Sequence, residues 1–136
     1  MKKEKLISAT EIAKLLLSFD QGREYFHDRK MPGKEEEEFE SPTVGNFRLN
    51  KMLHICYMLH YSKYGKPLFS EELRAFYHGA IVYPIYKNFF SFYREALKPE
   101  EIIIEPEKKN FISKIFHYFK NYHDKDLETF SHDDIA

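Results

Sequence analysis

Seven histidines, one cysteine and a run of four glutamates are the residues of this 136-residue chain whose types invite a chemical role. Two histidines that hold zinc from one helical face must stand three or four positions apart. His54 and His60 are six apart, as are His117 and His123. On a helix the members of each pair therefore diverge by roughly 120°. No His-Glu-x-x-His segment occurs, and Cys56 has no second thiol with which to share a metal. A histidine-activated Cys56 would be a nucleophile, but it falls on the apolar stripe of a predicted helix, where a packed, inert thiol is expected. Gly22, Gly33, Gly45, Gly65 and Gly79 are too scattered to form a phosphate or dinucleotide loop. No Gly-x-Ser-x-Gly elbow is present, and the carboxylates have no diagnostic spacing. The residues predict no enzyme, no cofactor and no metal.

Size and charge bound the remaining classes. The length suits a single domain spanning residues 1–136, large enough to bury a sizeable core. Lys and Arg number 21 against 22 Asp and Glu, a net charge of -1, so no global basic excess points to nucleic acid. A single cysteine forms no intramolecular disulfide. The opening MKKEKLISATEIAKLLLSF lacks a secretory core and cleavage site. No run of about 18 apolar residues is present to span a bilayer, and a cytoplasmic protein is expected. Aromatic residues reach 17%, all Phe and Tyr. Coding bias and interface use both account for that figure.

The elements that would position these residues are mostly helical. Ser8 and Glu11 form a capping-box pattern ahead of Ile12, Leu15, Leu16 and Phe19, which predicts a helix over 9–19. Residues 20–46 carry Gly22, Pro32, Gly33, Glu35–Glu38, Pro42 and Gly45 and read as a loop-like acidic insertion, with a short helix around Arg23–Arg29 as an option. Asn46 is the expected cap of a second helix with Leu49, Met52, Leu53, Cys56 and Leu59 or His60 inward. Gly65 and Pro67 end it. Leu73, Ala75 and Tyr77 alternate as a short strand before Gly79. Pro84 opens a helix to about Leu97 with Ile85, Phe89, Phe92 or Tyr93, and Ala96 inward. Ile102–Ile104 suggests a brief strand that pairs with the piece before Gly79. Pro106 opens a helix over about 107–122, with Phe111, Ile112, Ile115, Phe116 and Phe119 inward. Asp124 is set to cap a last helix through Phe130. The fold class is mainly α, a compact single domain of four to five helices with at most a small two-stranded β element.

On the second helix, Lys51, His54, Tyr57, Tyr61 and Tyr64 fall beside or opposite the core stripe. Such tyrosines offer contact area at low entropy cost, as binding hot spots do. They serve equally as ordinary amphipathic residues tucked against neighbours. With Arg48 and Lys63 between them they would also suit base stacking, a reading that the absence of a wider basic patch disfavours.

The run Leu49-Asn50-Lys51-Met52-Leu53-His54-Ile55, followed by Tyr64-Gly65-Lys66-Pro67-Leu68-Phe69, resembles the Panacea domain family. That family's pattern is Leu-x-Lys-Leu-Leu-Tyr-Tyr, a spacer containing Trp-His, then Tyr-Gly-Lys-Pro-Leu-Phe, and His60 falls on the histidine of the spacer. Arg74-Ala75-Phe76 and His78-Gly79-Ala80-Ile81-Val82, with Tyr86, are similar to its Glu-Ala-Trp and Tyr-Gly-Pro-Val-Val block. Ala9–Leu17 and Leu127–His132 resemble its opening helix and its terminal Leu-x-x-x-Thr-His. Leu59 and Phe76 stand where the family has tryptophan, and Ala80 where it has proline.

The resemblance implies a phage-associated or antitoxin-like interaction protein. Members of that family neutralise varied toxins by contact, and one relative delivers its toxin to a cytoplasmic protease. The candidate partner-binding residues are then Lys51, His54, Tyr57, Tyr61, Tyr64, His78, Gly79 and Tyr86. The expected partner is a protein, a cognate toxin, with a homo-oligomer left open and no membrane. Two alternatives remain: a proteolytic adaptor using the acidic 34–40 stretch or a terminus, and a nucleic-acid-binding regulator of its own operon.

Overall fold

The computed structural model describes residues 7–30, 43–76, 79–95, 97–122, 124 and 126–127. Helix α1 spans Ala9–Ser18, and the Ser8 hydroxyl accepts from the Glu11 amide as its cap. Helix α2 spans Val44–Tyr64. Its cap is Thr43, whose hydroxyl accepts the Asn46 amide at 3.2 Å. Asn46 was expected to be that cap; it lies instead inside the first turn, two residues past Val44, and is buried there. Gly65 ends α2 with φ +69°, its amide donating to the Tyr61 carbonyl. That left-handed position is the one glycine fills without strain.

Strands β1 (Leu73–Phe76) and β2 (Gly79–Val82) form an antiparallel hairpin, with Leu73 opposite Val82 and Phe76 opposite Gly79. The isoleucine run does not supply β1's partner. Within it the Ile104 amide donates to the Ile102 carbonyl at 3.1 Å, a tight turn that buries Ile102 and Ile104 and leaves Ile103 93% exposed. A local hairpin closes a shorter loop than pairing across some thirty residues would, and the isoleucines serve as two core plugs instead.

The helix expected from Pro84 is divided into α3 (Tyr83–Lys87) and α4 (Phe89–Tyr93). The break is at Asn88, whose side-chain amide donates to the Pro84 carbonyl at 2.9 Å and competes with the helical ladder. Ile85 and Phe89 point inward as predicted. After a single 3-10 turn over Pro99–Glu101, Pro106 opens α5 (Pro106–Phe119), which buries Ile112, Ile115, Phe116 and Phe119. Asp124, Asp126 and Leu127 are helical; the remainder of the expected last helix, through Phe130, falls outside the described residues.

Residues 20–30 fold without a helix. Asp20 holds the amides of Glu24, Tyr25 and Phe26 with its carboxylate, and Arg23 sits at φ +53°, so no helical turn can propagate through Arg23–Arg29. The guanidinium of Arg23 donates to the carbonyls of Leu17, Asp20, Tyr93 and Glu95, tying the end of α1 to the end of α4. Phe26 is fully buried, and its carbonyl approaches α2 at Gly45, where a Cβ would come within 2.5 Å of the loop backbone. A bridge between Lys30 and Thr43 closes this segment. The Glu35–Glu38 run lies outside the described residues.

Among the described residues the chain is thus mainly α with one two-stranded sheet, in line with the sequence. Helix α2 runs through the middle, in contact with α1, α3, α5 and β2. Among the described residues no helix is long and apolar enough to cross a membrane.

Candidate interaction surface

Helix α2 is divided by its surroundings. From Val44 to Cys56 it is enclosed on nearly all sides, so the polar residues in that half face protein. Lys51 is 1% exposed and His54 2%, which corrects their expected place on an open face. β2 and the end of α3, distant in sequence, close against this half, a long-range arrangement that helical periodicity does not report. The buried polar groups form a connected set. Asn50 accepts the Val82 amide at 2.9 Å and donates to the Asn46 carbonyl and side-chain oxygen. Asn46 in turn donates to the Tyr86 carbonyl. The Lys51 ammonium reaches the Ala80 carbonyl at 3.4 Å and lies over the Phe47 ring. These bonds fasten α2 to β2 and α3, satisfying groups whose burial would otherwise be costly.

Beyond Cys56 the helix emerges. Tyr57, Tyr61 and Tyr64 follow one face at spacings of four and three. Tyr57 is half-buried against Phe69, its ring 6.5 Å from Tyr61 in a stacked arrangement. Tyr61 is 54% exposed and Tyr64 also reaches solvent. Tyr57, Met58, Leu59, Tyr61 and Ser62 line an open groove of about 480 Å³.

Sequence reasoning missed the contribution of α5 to this face. Phe111 meets Tyr64 edge to face with 6.0 Å between centroids, and Lys63 lies 5.3 Å over Tyr64 and 5.6 Å over Phe111. Lys108 approaches Tyr64 and donates to His60 Nε2 at 3.0 Å, while His60 Nδ1 faces the Lys66 carbonyl at 2.9 Å. A carbonyl only accepts, so Nδ1 carries the ring proton and donates it to the Lys66 carbonyl, while the unprotonated Nε2 accepts the hydrogen bond from the Lys108 ammonium. His60 thereby locks the turn after α2 to the start of α5. The result is an aromatic surface with ammonium groups at its edge, a combination strengthened by cation–π attraction. The signal that would have found it is the Phe111 position, which takes its core stripe one step too far around the helix.

The other candidates are placed elsewhere. Tyr86 is half-buried and contributes its carbonyl to Asn46. Gly79 begins β2, and His78 lies outside the described residues. Arg48, considered for base stacking, is spent on Asp124 at 2.7 Å and on the ring and carbonyl of Tyr25. Cys56 is fully buried, and desolvation pushes its thiol up to about 12. Among the described residues no group of three His, Cys, Asp or Glu side chains converges as metal ligands would.

The architecture is that of a small helical domain with an enclosed polar seam and, at the C-terminal end of α2, an exposed aromatic face. The family described as antitoxin SocA-like, Panacea domain, matches residues 49–135, and the chain belongs to it. That span contains α2 from Leu49 onward, the hairpin and α3 through α5, and an antitoxin-like role with a protein partner follows at that general level. No curated protein and no solved structure matches the chain.

Proposed function

We propose that this chain is a non-catalytic, cytoplasmic antitoxin that binds a cognate toxin directly through the exposed end of α2. The observation that carries the reading is the Tyr57–Tyr61–Tyr64 stripe beside a 480 Å³ groove, in a chain of the antitoxin-like family. Exposed, pre-positioned tyrosines contribute contact area with only two side-chain torsions to order, as hot spots do. Lys63 and Lys108 favour a partner that presents carboxylates around an apolar knob. The packed Cys56 thiol and the structural engagement of Lys51 and Arg48 support the non-catalytic part of the reading.

Co-expression with the product of the adjacent gene tests it. The neighbour should arrest growth alone, co-purify with this chain, and be neutralised by it. Tyr61→Ala should weaken binding by about 2 kcal/mol, some thirtyfold, and leave folding unchanged because the ring is mostly in water. A neighbour that is harmless, or that does not co-purify, removes the proposal.

A further inference from the structure

Strand β2 is occupied along both edges. The Val82 amide donates to Asn50 and the Ala80 carbonyl accepts from Lys51, so Ala80 and Val82 direct their backbone groups toward α2. Successive residues of a strand face opposite edges, which leaves Gly79 and Ile81 bonding toward β1. The register places Ile81 opposite Arg74 and Gly79 opposite Phe76. Arg74 and Phe76 therefore face β2, and the amides and carbonyls of Leu73 and Ala75 face the outer edge. Among the described residues nothing bonds to them there. Such an edge is a template for another strand.

The side chains beside this edge select the occupant. Leu73 packs toward the core, while Glu72 and Arg74 are exposed, two positions apart. Neither has an ion pair among the described residues, and the Arg74 guanidinium rests 4.9 Å over the Tyr83 ring. We infer that β1 pairs antiparallel with β1 of a second copy about a two-fold axis at Leu73. In that register each Glu72 stands opposite Arg74 of the other copy, with about 5 Å between Cβ atoms, so the Glu-Leu-Arg segment is complementary to itself. Shifting the axis to Arg74 would set the two arginines against each other. The dimer joins two hairpins into one four-stranded sheet, above the size at which a sheet becomes stable in water. Its contact area is small, so it assembles as concentration rises. This inference is independent of the toxin-binding proposal.

Sedimentation velocity of the full chain up to about 1 mM tests it. The wild type should pass from monomer to dimer. Arg74→Glu and Glu72→Arg should each raise the dissociation constant about tenfold or more, since each reversal turns two attractions into repulsions. The double variant Glu72→Arg/Arg74→Glu should restore the dimer, and circular dichroism should be the same for all four proteins. A chain monomeric throughout overturns the inference and leaves the edge to a strand of a different protein. A dimer indifferent to the single reversals, or a double variant no tighter than the singles, also overturns it.

Discussion

Cys56 and Lys51 are five residues apart on α2, both enclosed, and they respond to enclosure in different ways. Lys51 keeps a carbonyl and an aromatic face within reach of its ammonium group. Cys56 has only apolar surroundings, and its thiol is raised from 9.0 to about 12. Between those values the unfolded chain releases a proton that the folded one retains. The contribution of Cys56 to stability is therefore complete below pH 9 and is lost as pH rises through 12, on the order of 4 kcal/mol over the interval. Tyr25, raised by burial, acts in the same direction from higher pH. Denaturant unfolding at a series of pH values should show stability falling above pH 9, and Cys56→Ala should flatten that fall while costing about 1 kcal/mol at neutral pH. A Cys56→Ala profile as steep as the wild type would refute the assignment.

Between elements, the most consequential contact is the seam joining α2 to the hairpin. Asn50 bonds both Asn46 and the Val82 amide, so its removal strands buried groups on two elements at once. Asn50→Leu should cost about 3 kcal/mol, read as a lower denaturation midpoint at unchanged slope. A loss below about 0.5 kcal/mol would mean that the seam is not structural. Ala80 belongs to the same seam, its carbonyl accepting from Lys51 and so tying β2 to α2. The starts of α1 and α5, the stop of α2 and the opening of α3 were legible in the sequence, because Ser8, Pro106, Gly65 and Pro84 act locally; the Thr43 cap of α2 and the break at Asn88 were not. The tyrosine stripe was legible for the same reason. The burial of Lys51 and His54 was not, since it depends on elements distant in sequence closing around α2. Arg23's left-handed turn likewise depends on tertiary bonds, to the carbonyls of Tyr93 and Glu95.

For the whole molecule the question is where the folding unit begins. The family match starts at residue 49, yet α1 lies well before it and contributes Ala9, Ile12, Ala13, Leu15 and Leu16, all with no exposure, to the same core as α2 and α5. Phe26 adds a fully buried ring from the segment 20–30, in contact with Phe116 of α5. At about 1.5–3 kcal/mol for each large buried side chain, these residues supply roughly 10 kcal/mol, comparable to the entire stability of an ordinary domain. The carbonyl bonds of Arg23 extend the dependence to the end of α4. A fragment of residues 43–136, which retains every matched position, should therefore show no cooperative thermal transition by circular dichroism. Adding a peptide of residues 1–30 should restore one, because α1 and the loop dock through surfaces that α2 and α5 already carry. Cooperative unfolding of the fragment by itself would show instead that α1 is an accessory to a core that can close without it.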